Sequence, residues 1–245
     1  MSDAFYLGYD DSMPPSLARF LGRVVFGLAF VAVVVVVAVA ASQSPAEPGD
    51  YGFGVETPFE GVLMEEPIPL LQVGSGAGSI TNYVLVGSGK FGLPAFALGH
   101  GGKRVHFNGS LIHKGDQQMI ELNDEKSFSV VSDQREQRTG VLGMETSLSG
   151  ELVDTKCYFG VMRPGAGKVH RGCAARCLHG GVPPGLLLRD TAGRSVVVLL
   201  SGTDGKKLDF DTEWAARWVK ATGRLSVREN LPILEVERLE LTEGP

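Results

Sequence analysis

A chain of 245 residues with 43% hydrophobic content is long enough for one or two packed domains and too apolar for disorder. Its 28 acidic against 23 basic side chains leave no basic face to neutralise a phosphate backbone, which argues against nucleic acid as a partner. Glycines (33) and prolines (13) are spread along the chain and predict many tight turns between short strands, hence a mainly β architecture.

The first predicted element is a membrane span. Residues 24–41 carry no charge, which is about the lower limit for crossing a hydrocarbon layer of ~30 Å, and Phe20 and Leu21 extend the run. The Val-rich centre, 33–37, would be a poor helix in water, but lipid forces the backbone to close its own hydrogen bonds. Arg19 and Arg23 precede the span and no Lys or Arg follows it until Lys90, so the N-terminus is expected in the cytoplasm and the bulk of the chain outside. The alternative is a cleaved signal peptide, because Ala38-Val39-Ala40 fits a small-x-small cleavage site. Asp3, Asp10, Asp11 and Pro14-Pro15 make the preceding region long and acidic for a signal.

Residues 42–57 read as a tether, and folding is expected to begin near Pro58. A second polar stretch, 132–145, separates two halves that superpose in three blocks. Phe59-Glu60-Gly61-Val62-Leu63 matches Leu148-Ser149-Gly150-Glu151-Leu152, and Tyr83-Val84-Leu85-Val86-Gly87 matches Val197-Val198-Leu199-Leu200-Ser201-Gly202. Val105-x-x-x-Gly109-x-Leu111 with Met119-Ile120-Glu121-Leu122 matches Val219-x-x-x-Gly223-x-Leu225 with Ile233-Leu234-Glu235-Val236. Three blocks in one order predict an internal duplication. Glycine inside a strand marks the bulge or bend that a small five-stranded barrel needs.

The pattern resembles the OB-fold. The resemblance implies tandem OB-like β-barrels, at 58–131 and 146–245, behind an anchor at 1–41, and a place for a short helix in the connector before the V-x-x-x-G-x-L strand. Residues 211–218, with Asp211 as N-cap and Trp214 and Trp218 four apart, supply that helix in the second half, the two indoles capping the barrel core. Residues 91–102 show none in the first. OB-like barrels serve many functions, so the fold does not decide one.

The interval from Gly150 to Gly202 is longer than that from Gly61 to Gly87 by about twenty-five residues, so the second half carries an insertion at about 157–190. It holds all three cysteines, Cys157, Cys173 and Cys177, with His170 and His179. A helix over 169–179, stopped by Gly180-Gly181 and Pro183-Pro184, places positions 170, 173 and 177 on one face. Three chemistries fit. Cys157, Cys173, Cys177 and His170 could hold a Zn, Cu or Fe ion, with His179 or Met162 as an outer ligand. A disulfide from Cys157 to one helical cysteine would leave an odd thiol. A reactive thiol beside Lys168, His170, Arg171 and Arg176 is the third. In either of the first two forms Cys157 is expected close to Cys173 or Cys177.

Gly165-Ala166-Gly167-Lys168 fails as a phosphate loop, because Met162 and Val169 stand where Gly and Ser or Thr are needed. Residues 74–78, rich in glycine, read as a hairpin loop. Asn108-Gly109-Ser110 falls inside a predicted strand, and His100, His106 and His113 have no ligand spacing. No nucleophile elbow is present. The segment from Cys157-Tyr158-Phe159-Gly160 through His170-Arg171 and Cys173 resembles stretches in uncharacterised bacterial membrane-anchored proteins. That resemblance implies a bacterial cytoplasmic membrane and a periplasmic domain, without a reaction or substrate. The expectation is a periplasmic binding or accessory module, not an enzyme, that touches the bilayer and a membrane-protein partner. The alternative is a thiol-redox or electron-transfer protein.

Overall fold

The computed structural model describes residues 13–42, 48–74, 79–132, 143–191 and 194–244. The acidic N-terminal residues, the start of the tether (43–47), the glycine loop 75–78 and the polar stretch 133–142 fall outside them. Two compact units are present, Met1–Ala46 and Glu47–Pro245.

Among its described residues the first unit holds one helix, α1 (Pro15–Ser42), of 28 residues. At a rise of 1.5 Å per residue it is long enough, and it is apolar enough, to cross a membrane. None of its side chains is buried. Pro15 sits at the first helical position, where its missing N–H costs nothing.

The second unit is mainly β. Within the expected tether, Asp50–Tyr51 already forms a strand, β1, paired with Ile112 and His113. The first half continues with β2 (Thr57–Met64), β3 (Leu70–Gly74), β4 (Ile80–Gly87), β5 (Arg104–Lys114), β6 (Gln117–Leu122) and β7 (Ser129–Ser132), which with β1 make a seven-stranded sheet. β5 pairs with β2 up to Gly109 and with β6 from Gly109 onward, while β4 pairs parallel with β6. The second half contains β8 (Met144–Asp154), β9 (Pro184–Arg189), β10 (Ser195–Ser201), β11 (Trp218–Arg228) and β12 (Leu231–Leu241), closed into a five-stranded barrel in the order β10-β12-β11-β8-β9. Its parallel pair, β10 with β12, aligns Leu199 with Ile233, and in the first half β4 with β6 aligns Leu85 with Ile120.

The glycines inside the long strands do the bending. At Gly223 the β11–β12 register shifts, and a Cβ there would collide with the Glu235 carbonyl oxygen. At Gly109, where β5 changes partner, a Cβ would lie 2.5 Å from Ile120 Cγ2.

The helix expected over 211–218 is reduced to a single 3-10 turn, Thr212–Trp214. Asp211 does cap it, accepting from Glu213 N, but Ala216 turns to φ 55° and Trp218 starts β11. Strand pairing of Trp218 with Glu151 competes for the residues a second helical turn would need. Trp214 packs on the barrel core as a half-buried lid. The first half has a matching 3-10 turn, Ala95–Ala97.

Strand alternation builds three cores. Leu85, Ile120 and Phe107 fill the first half, and Val198, Leu200 and Leu234 fill the barrel. The opposite faces of the same strands, Val84, Val86, Val197 and Leu199, join a larger cluster shared by both halves. These strands read as continuous apolar runs because both faces are covered.

Candidate thiol cluster

The site begins where β8 ends. Asp154 is fully buried, and its Oδ1 accepts from the Cys157 backbone N–H at 2.8 Å, capping the turn that follows. That turn is a π-helical segment, Cys157–Val161, and it sets the Cys157 thiol in the core. The insertion returns as α2 (Arg171–His179), preceded by a 3-10 turn over Lys168–His170. Gly181 takes φ 93°, its N–H bonds to the Leu178 carbonyl, and Val182 N–H bonds to the Cys177 carbonyl. This is a Schellman closure, and it ends the helix where Gly180-Gly181 predict.

Cys173 and Cys177, one turn apart, face Cys157. The Cys157 Sγ lies 3.9 Å from each of the other two sulfurs, and all three sulfurs lie within 4.8 Å of one another. No disulfide joins them; each cysteine is free. A tetrahedral ion with sulfur at about 2.3 Å sets its thiolates about 3.8 Å apart, close to the spacing from Cys157 to each of the other two sulfurs.

His170 is buried but turns its Nε2 to Asp154 Oδ2 at 2.9 Å. It belongs to an adjacent group with Asp154 and Cys157 rather than to the three-sulfur set. His179, offered above as an outer ligand, is the last residue of α2, exposed and outside both groups. The face that carries Cys173 and Cys177 turns inward, and two residues beyond Cys177 the side chain points away. Met162 is 45% exposed. His113 lies 3.7 Å from Asp50, and Ser110 of the Asn108-Gly109-Ser110 triplet is fully buried in β5.

The component not evident in the sequence is Lys90, from the loop after β4. Its Nζ lies 2.7 Å from Cys173 Sγ and 3.8 Å from Cys177 Sγ. The loop is clamped from both sides. Lys156 Nζ donates to the Gly87 and Gly89 carbonyls at 2.7 and 2.8 Å, and Gly92 N–H donates to the Gly180 carbonyl at 3.0 Å. Lys156 is itself paired with Glu121, whose other oxygen accepts from Tyr51 Oη at 2.9 Å. Burial, then the hydrogen bond to Glu121, drives the Tyr51 phenol above its usual range.

No family model matches this chain, and no curated protein matches it.

The charges around the sulfurs are unequal. The hydrogen bond from Cys157 pulls the Cys177 thiol below the ordinary thiol range, with Lys90 acting the same way and burial opposing. Cys157 is pushed up by the bond it gives to Cys177, by burial and by Asp154. The hydrogen bond to Cys173 holds Lys90 above the ordinary lysine range. Of the two buried thiols, Cys177 is thus the one drawn toward ionisation and Cys157 the one held back from it. A divalent ion on three thiolates would carry one net negative charge, which Lys90 neutralises.

Proposed function

We propose that the chain is a single-pass protein of a bacterial cytoplasmic membrane whose periplasmic part is a binding or accessory module docked on a membrane complex. It holds one thiophilic ion, Zn, Cu or Fe, through Cys157, Cys173 and Cys177. The observation that carries this reading is the convergence of the three sulfurs, with Cys157 at 3.9 Å from each of the other two, on elements pinned by Asp154 and by the Schellman closure.

The soluble part is read as two OB-like barrels in tandem. Support comes from the first sheet, where the pairings β2-β3-β4-β6-β5 return to β2 in the order of the closed barrel, with the parallel pair at the same place. The orientation rests on Arg19 and Arg23 before the span and the absence of basic residues from there to Lys90. A reporter fused after Pro245 and active only outside the cytoplasm is expected to work; cytoplasmic activity overturns the topology.

For the ion, the test is metal analysis of the full chain, extracted in mild detergent without chelator. About one ion per chain is expected, lost in Cys173→Ser and Cys177→Ser and kept in His179→Ala. Protein that arrives metal-free and takes up no Zn(II), Cu(I) or Fe(II) on titration refutes the reading. The thiol-redox alternative is favoured by one observation, the close approach of Lys90 to Cys173.

A further inference from the structure

We infer that Lys90 and Cys173 form a reversible covalent cross-link through a single oxygen atom, nitrogen to oxygen to sulfur, and that this link is an oxygen-responsive switch in the ion-free cluster. The inference goes beyond ion binding and stands on separate geometry. Lys90 Nζ sits 2.7 Å from Cys173 Sγ, the separation of a short N–H···O bond although sulfur is the larger atom. The nearest sulfur to Cys173 among these contacts is 3.9 Å away. The amine is thus the closest reaction partner, and one inserted oxygen spans the gap without moving either backbone. A direct sulfur–nitrogen bond would require the two elements to close together.

The amine is also delivered rather than free to wander. Lys156 fixes the carbonyls of Gly87 and Gly89 on one side of it, and Gly92 is tied to Gly180 on the other. Access selects the sulfur. Cys157 and Cys177 are 3% and 1% exposed, whereas Cys173 is half-buried and open to a small oxidant.

The step balances with dioxygen as oxidant. The Lys90 ammonium first releases its extra proton to water; the Cys173 thiol then loses its proton and two electrons, and the Lys90 amine loses one proton and two electrons. Dioxygen takes up four electrons, leaving one oxygen in the bridge and the other as water with the two released hydrogens. Two equivalents of a dithiol reverse the link with four electrons: the first pair cleaves sulfur–oxygen to thiol and hydroxylamine, and the second cleaves nitrogen–oxygen to amine and water, each dithiol closing to its cyclic disulfide. The link removes Cys173 from the ligand set, so bridging and ion binding exclude each other, and it ties the β4 loop to α2 across the two halves.

The test is intact mass and peptide mapping of the full chain in detergent, stripped of metal, in air and under reductant without oxygen. In air the chain should gain one oxygen and lose two hydrogens. The Lys90 and Cys173 peptides should be joined, and dithiothreitol should reverse both changes. Lys90→Arg, which keeps the charge but lacks the amine, should abolish the change, and Cys177→Ser should retain it. Loss of two hydrogens alone, meaning a disulfide or a sulfur–nitrogen bond, overturns the inference. So does oxygen gained without hydrogen lost, or an unchanged mass. The readout is independent of metal content, so ion binding and bridging fail separately.

Discussion

Lys156 keeps only 1% of its side-chain surface in water, beside a Glu121 side chain at 7%, and its three donors go to Glu121 and the carbonyls of Gly87 and Gly89. Removing one member of such a pair leaves an uncompensated buried charge, so Lys156→Met should lower stability by about 3–5 kcal/mol, measured by denaturant unfolding. Adding Glu121→Gln should recover part of that loss, because the second change removes the stranded carboxylate. A single change no more costly than a surface substitution would show that the pair is not structural. Neither residue was legible as a partner of the cysteines, since Lys156 is simply the neighbour of Cys157 in sequence and Glu121 lies in the other half.

At the scale of elements, the joint between α2 and the β4 loop depends on a glycine. A Cβ on Gly180 would fall inside the contact radius of the Lys90 carbonyl oxygen, which is backbone and cannot swing away. Gly180→Ala should therefore shift the Lys90 loop and cost about 1–3 kcal/mol by overpacking, read from denaturant unfolding and from weaker ion uptake. Unchanged stability with unchanged uptake would mean that the loop yields freely. The sequence marks this glycine as a helix stop, and it serves as one. Its second duty, admitting a loop from the other half, has no local signature.

Across the whole molecule, the halves exchange similar contacts. Gln117, at the start of β6, donates to the Val197 carbonyl at 2.6 Å and accepts from the Val197 N–H at 2.9 Å. Asn230, in the β11–β12 turn, accepts from the Asn82 N–H at 3.0 Å and donates to the Asn82 carbonyl at 3.1 Å. In each case an amide at the β5–β6 or β11–β12 turn reads one backbone residue in the strand of the other half that enters its parallel pair, β10 or β4. Gln117→Ala would strand both polar groups of Val197 in the shared core, at about 1–3 kcal/mol for each group left unsatisfied. Calorimetry should show a lower melting temperature for the soluble unit. A variant that melts with the parent would show that water replaces the side chain.

What the sequence alone determined here is what local chemistry can encode. The apolar run behind Arg19 and Arg23 is a helix of membrane length, the alternating blocks are strands, the interior glycines bend them, and Gly180-Gly181 stop α2. These follow from periodicity and from backbone freedom, which act over a few residues. Tertiary structure decided the composition of the cluster. Spacing could bring Cys173 and Cys177 to one face, but only the packing of the halves brings Lys90 to Cys173, and the return of the insertion onto the end of β8 ties His170 to Asp154 and leaves His179 outside. It also reduced the expected helix near Trp214 to one turn, because Trp218 pairs with Glu151 from β8, far away in the chain. Contacts of such long sequence separation depend on how two apolar faces meet, and no short window of residues carries that information.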